Sequence, residues 1–186
     1  MRFKTLILFV VAAVFVIAIG GALVIWRGAA ARDEPSRAEV IVGRTLRHFA
    51  IPSALRAAKS PVPLTPAVLA DARAHWADHC AICHANDGSG NTEMGRNMYP
   101  RTPDMRKGET QKLSDGELYA IIRDGVRLTG MPGWGGNDLD NWKLVHFIRH
   151  LPKLTPEEID AMERLNPKTP EEIEQMRREE EFLKGH

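Results

Sequence analysis

The amino-acid sequence predicts an all-α fold: three main helices, an apolar helix before them and a helical acidic tail after them. Three observations carry this. Over residues 66–153 apolar side chains recur at helical spacing. The segments so marked begin at side-chain caps and end at Gly or Pro. No alternating stretch of useful strand length interrupts them.

Residues 1–26 read as a membrane anchor or a signal segment. After Met1-Arg-Phe-Lys4 the chain runs from Thr5 to Trp26 without a charge, about 30 Å as a helix and so enough to cross a bilayer. The run exceeds the ~7–15 apolar residues of an ordinary signal peptide, which favours retention, while Ala29-Ala30-Ala31 offers the small residues of a cleavage site. Arg2 and Lys4 face Arg27, Arg32 and Arg37 across the run, so charge alone assigns no orientation. Residues 27–65 are a basic spacer with Pro35, Pro52, Pro61 and Pro63, extended in part. The stretch from Arg37 to Ala58 carries Val40, Ile41, Leu46, Phe49, Ile51 and Leu55, too apolar for a solvated linker. It packs on the domain or on the membrane surface, arginines toward lipid headgroups.

Residues 66–153 form the compact domain. Thr65 caps and Pro66 opens a first helix, with Leu69, Ala72, Trp76 and Cys80 on one face. Ser114-Asp-Gly-Glu117 is a capping box for a second, with Leu118, Ile121 and Ile122 on a stripe and Gly125 closing it. A third runs from about Asp138 to Leu151 with Leu144, Phe147, Ile148 and Leu151 on its face, and Pro152 stops it. Gly- and Pro-rich loops, Asn86 to Pro103 and Val126 to Gly136, join them. So small a core is marginal on hydrophobic burial alone, which points to something filling its middle. Residues 154–186 are an acidic helical tail, in which Thr155-Pro-Glu-Glu-Ile159 and Thr169-Pro-Glu-Glu-Ile173 are two helix starts. It reads as a solvated extension folded back on the domain, with docking to a basic partner as the second reading.

At 186 residues and 44% hydrophobic, the chain suits one small domain with appendages. The net charge of +1 excludes a uniformly basic nucleic-acid binder, and no nucleic-acid partner is expected. The charge is unevenly spread: +6 over residues 1–65, zero over 66–153 and −5 over 154–186. The two cysteines lie three positions apart, too few for a disulfide framework.

Those cysteines stand in Cys80-Ala-Ile-Cys83-His84. C-x-x-C-H is the attachment sequence of c-type haem: each thiol adds to a vinyl group and the histidine supplies the proximal imidazole to iron. One turn of helix puts the cysteines on one side and carries His84 beneath the iron. Two other readings use the same residues, a zinc site made with His75 or His79 and a dithiol redox pair. The zinc reading lacks two separated ligand pairs, and the redox pair lacks a βαβ setting. For a sixth ligand, Gly130-Met131-Pro132-Gly133-Trp134 offers a thioether held in a Gly/Pro loop. Met94, Met98 and Met105 are its competitors in the earlier loop. His146 and His150 read as exposed or packing residues.

With these motifs, residues 66–153, about half the chain, resemble a class I cytochrome c of the bacterial monohaem, membrane-tethered type. The resemblance implies one covalent haem c held by Cys80 and Cys83, with His84 and Met131 as iron ligands. It implies that Trp76 and Phe147 pack where the first and last helices cross, and that a carbonyl of Pro100 or Pro103 accepts the His84 proton. Arg96, Arg101, Arg106 and Trp134 are candidates to pair with the haem propionates. An iron closed by His and Met has no open site, so the expected function is one-electron transfer within a respiratory chain rather than catalysis. The expected partners are redox proteins, a membrane respiratory complex among them, and the lipid bilayer through the N-terminal helix. Attachment outside the cytoplasmic membrane, as the family implies, puts Arg2 and Lys4 inside and the haem domain in the periplasm. The alternatives are a haem sensor or enzyme subunit with a displaceable Met131, and a zinc-stabilised interaction module.

Overall fold

The computed structural model describes residues 3–27 and 30–184, and no strand occurs among them. Arg2 and Ala29, used in the orientation and cleavage readings, lie outside the described residues. The chain divides into two units, Met1–Asp33 and Glu34–His186. The first is built on one helix, α1 (Phe3–Arg27). Its stretch Phe3–Leu23 is long and apolar enough to cross a membrane, with mean hydropathy 3.0 and no burial against protein.

The second unit opens with α2 (Arg37–Ala50) and α3 (Ser53–Arg56). A capping box starts α2: the Glu39 N–H donates to Ser36 Oγ, and the Ser36 N–H donates to the Glu39 carboxylate. The spacer is therefore more helical than its prolines suggest. It is also pinned to the domain, Ser114 Oγ donating to the Arg56 carbonyl at 2.7 Å. Gly116 is required there, because a Cβ would lie 1.8 Å from the Leu55 carbonyl oxygen. Farther on, His146 Nε2 meets Ser60 Oγ at 3.0 Å and the Val62 carbonyl at 2.8 Å.

The first main helix starts as expected. In α4 (Pro66–His75) Thr65 Oγ1 accepts from the Val68 N–H, with Pro66 in the first turn. It does not run on uniformly. Trp76–Cys80 form a π-turn in which the Ala81 N–H reaches the Trp76 carbonyl, and only then comes α5 (Ala81–His84). Two single turns follow, α6 (Glu93–Arg96) and α7 (Gly108–Gln111). The second main helix, α8 (Asp115–Asp124), has the Ser114/Glu117 capping box and ends at Gly125 with φ +70°. The third, α9 (Asp138–His150), is capped by Asn137 and tightens into a 3-10 turn at Leu151–Lys153. The tail adds α10 (Pro156–Leu165) and α11 (Pro170–Lys184).

The core lies where α4 and its π-turn meet α9, with α8 alongside. Trp76 and Phe147 touch at a ring-centroid distance of 5.4 Å, both fully buried, an aromatic pair adding about 0.5–1.5 kcal/mol to its area burial. Tyr119 stacks on Trp142 at 4.4 Å. Leu144, Ile148 and Leu151 of the expected α9 face are buried with them. The tail splits: α10 seals the core with Met162, whereas α11 is exposed throughout. His150, half-buried, holds α10 down by its contacts of 3.0–3.1 Å to the Glu158 carboxylate.

Candidate functional site

The C-x-x-C-H residues sit at the end of the first main helix, beside its crossing with α9. Cys80 closes the π-turn, and Cys83 and His84 lie on α5. Both thiols are free and half-buried. Burial, with Cys83 close by, pushes the Cys80 thiol up to about 12, and burial raises Cys83 as well. His84 packs against Trp76, ring centroids 5.5 Å apart. Burial holds its pKa down to about 4, so the ring is a neutral imidazole at physiological pH. Its Nδ1 is buried without a hydrogen-bond partner. The expected proline carbonyl, whether of Pro100 or Pro103, does not accept from it. A buried unpaired nitrogen costs about 1–3 kcal/mol and needs an explanation outside the packing of the core.

The backbone leaves this helix abruptly. Ala85 adopts φ +61°, a conformation that strains a residue with a side chain by roughly 1–3 kcal/mol. Two hydrogen bonds hold the turn: Trp76 Nε1 donates to the Ala85 carbonyl at 3.0 Å and the Gly90 N–H to the His84 carbonyl at 2.8 Å. Beyond it Arg106 bridges Asp87 at 2.7 Å and Asp104 at 2.9 Å. The Arg106 hydrogen bond keeps the Asp104 carboxyl down to about 2. Arg101 pairs with Glu34 and Arg96 with Asn91. The arginines expected at the propionates are thus engaged with protein groups, Arg106 on both sides.

Met131 is half-buried in the loop after α8, and backbone bonds fix that loop. The Val126 N–H donates to the Met131 carbonyl at 3.1 Å, the Met131 N–H to Thr129 Oγ1 at 3.1 Å, and the Trp134 N–H to the Ile122 carbonyl at 3.0 Å. The loop passes close to a competitor: a Cβ on Gly130 would lie 2.5 Å from Met98 Sδ, so the Met98 side chain would have to shift to admit one. Met98 Sδ also faces the Thr102 hydroxyl at 3.8 Å. Met105 is a core residue and Met94 is exposed. His79 stacks on Trp134 at 5.6 Å and its ring meets His75 edge-on at 5.0 Å. No three His, Cys, Asp or Glu side chains among the described residues converge to hold a metal ion.

Residues 67–148 match the family described as Cytochrome C oxidase, cbb3-type, subunit III. They form a class I c-type cytochrome domain. No curated protein matches the chain significantly. The matched stretch is under half of the chain and spans the helices from α4 to α9. The cytochrome domain carries covalently bound haem c, and Cys80 and Cys83 fit its attachment motif. The site residues suit that group: two free thiols three positions apart, and a half-buried neutral imidazole whose buried Nδ1 is unspent. Haem cytochrome domains of this kind transfer electrons to and from redox partners.

Proposed function

We propose that this protein is a membrane-anchored, periplasmic cytochrome c with one haem, carrying single electrons within a respiratory chain, and that it is a carrier rather than an enzyme. In this reading Cys80 and Cys83 hold the haem, and His84 and Met131 are its two axial ligands. The observation that carries the reading is His84: a half-buried, neutral imidazole with a buried, unpartnered Nδ1 directly after the two free thiols, in a domain that matches a cytochrome family. The haem, when bound, supplies a one-electron ferric/ferrous couple.

The chain's own residues do the rest. Trp76 and Phe147 keep water from the His84 side. The bonds from Val126, Thr129 and Trp134 hold the Met131 loop in one conformation, so that a change of charge at the site meets little rearrangement. The α1 helix supports the anchor, and the description of the matched family, an oxidase subunit, supports a respiratory setting.

Met131→Ala tests the assignment. The haem should stay covalently attached while the sulfur-to-iron charge-transfer band disappears, the reduction potential falls and the ferrous protein gains carbon monoxide binding. Met98→Leu should keep the band. Loss of the band in the Met98 variant and its survival in Met131→Ala would move the axial role to Met98. Carbon monoxide binding by the unmodified protein would favour the sensor alternative.

A further inference from the structure

In α2 the polar side faces the domain: Arg44 pairs with Glu109, His48 Nδ1 meets Glu117 Oε1 at 3.0 Å, and the Tyr99 hydroxyl donates to Glu39 at 2.9 Å. The apolar side faces outward. Ile41, Val42, Leu46 and Phe49 are 65%, 56%, 64% and 75% exposed. At about 100° per residue they share one side of the helix with Ala38 and Thr45. Other helices of the core, such as α8 and α9, bury their apolar sides, whereas α2 buries no residue at all. Large apolar side chains grouped on an exposed helix face mark a contact surface.

We propose that this face of α2 lies in the interfacial layer of a phospholipid bilayer. The proposal rests on the reading of α1 as a membrane anchor. Chain length selects lipid as the occupant: nine residues separate Arg27 from Arg37, a reach of at most about 35 Å between the two helices when fully extended. A helix so tethered is kept within that reach of the membrane surface. Charge selects it too. Residues 27–65 carry seven basic against three acidic side chains, a net +4; Arg44 and Arg56 are held by protein groups, but the net sign of the segment still suits the anionic headgroups that interfacial helices meet. The helix then lies along the surface with Leu46 and Phe49 about 5–10 Å into the headgroup boundary. The cytochrome domain gains a contact with the bilayer beyond its tether.

The test uses the full-length, haem-loaded protein in vesicles of equal parts phosphatidylethanolamine and phosphatidylglycerol. Leu46→Cys, Phe49→Cys, Lys59→Cys and Val14→Cys each carry a nitroxide, all at positions exposed in the fold. Collisions with oxygen, which concentrates in lipid, are compared with collisions with a water-soluble nickel chelate. The oxygen-to-nickel ratio at Leu46→Cys and Phe49→Cys should exceed that at Lys59→Cys several-fold and approach that at Val14→Cys. Ratios equal to Lys59→Cys, with Val14→Cys still in lipid, overturn the proposal and leave the anchor standing. Poor access to both reagents at Leu46→Cys and Phe49→Cys also overturns it, showing the face covered by protein. Water access at Val14→Cys removes the anchor reading, and this proposal with it.

Discussion

The tail starts two helices with the same words, and the structure uses them differently. Thr155–Ile159 and Thr169–Ile173 share their sequence, and a methionine follows three residues after each isoleucine, Met162 and Met176. Their caps are alike: the Glu158 and Glu172 N–H groups donate to the threonine hydroxyls at 3.3 and 3.2 Å, and the threonine N–H groups donate back at 3.1 and 2.7 Å. Yet Met162 is 0% exposed and Met176 is 55% exposed. A cap decides that a helix begins there; it does not decide what the helix packs on. The difference lies in what surrounds the shared residues. Ile159 packs against the core, where its counterpart Ile173 is exposed. Glu158 finds His150 and Arg73, whereas Glu172 makes only its cap bonds among the described residues.

The largest effect expected from this contrast is at the two methionines. Met162→Ala should lower the unfolding free energy of the haem-loaded protein by about 2–5 kcal/mol through the cavity it leaves. Met176→Ala should change it by less than about 0.5 kcal/mol. Denaturant titration checks both, and equal losses would show that α11 is packed as well. Ile159→Ala, which removes a side chain packed against the core, should cost about 1–2 kcal/mol; Ile173→Ala should be close to neutral in the same titration.

The smallest effect is in pH. Burial pushes the Glu158 carboxyl up, but the His150 and Thr155 hydrogen bonds and the charges of His150 and Arg73 outweigh it and hold the group below its usual value. A depressed carboxyl contributes stability that is present above the unfolded value, about 4.3, and lost as pH falls through the lower folded value. Glu158→Gln should therefore remove about 1 kcal/mol at neutral pH and flatten the acid-side fall of stability. The Thr169 hydrogen bonds hold the Glu172 carboxyl below its usual value as well, but on a fully exposed helix, so Glu172→Gln should flatten that fall less. Unfolding midpoints measured between neutral pH and about pH 3 would show whether the two glutamates separate in this way.

The features legible in the sequence are those whose causes are local. Thr65 before Pro66, Ser114 with Glu117, and Gly125 act within a turn of their own helices, and each sits where the sequence places it. The haem-attachment pattern is readable for the same reason, since its residues are contiguous. Meetings between distant residues were harder to read. His146 finds Ser60 from 86 positions away, Arg106 finds Asp87, and Met98 comes against Gly130. Periodicity shows that Ile41, Leu46 and Phe49 share a side of α2, but not that the opposite side is the one that docks. The regular spacing of Leu69, Ala72, Trp76 and Cys80 also gave no sign of the π-turn, because a wide turn preserves the pattern of apolar residues while changing their directions.

That π-turn makes the length of the first main helix a variable in its own right. It corresponds to an α-helix with one residue inserted, so the parts on either side of Trp76–Cys80 are about 100° out of rotational phase with an uninterrupted helix. Ala72 and Trp76 keep their place against α9, while Cys80, Cys83 and His84 take their bearing from the far side of the insertion. A substitution at the exposed Asp78 or His79 keeps the residue count and so leaves that bearing alone. Deleting one residue there would swing both thiols and the imidazole around the helix axis together, so within this turn the direction of the whole attachment motif is set by residue count rather than by residue identity.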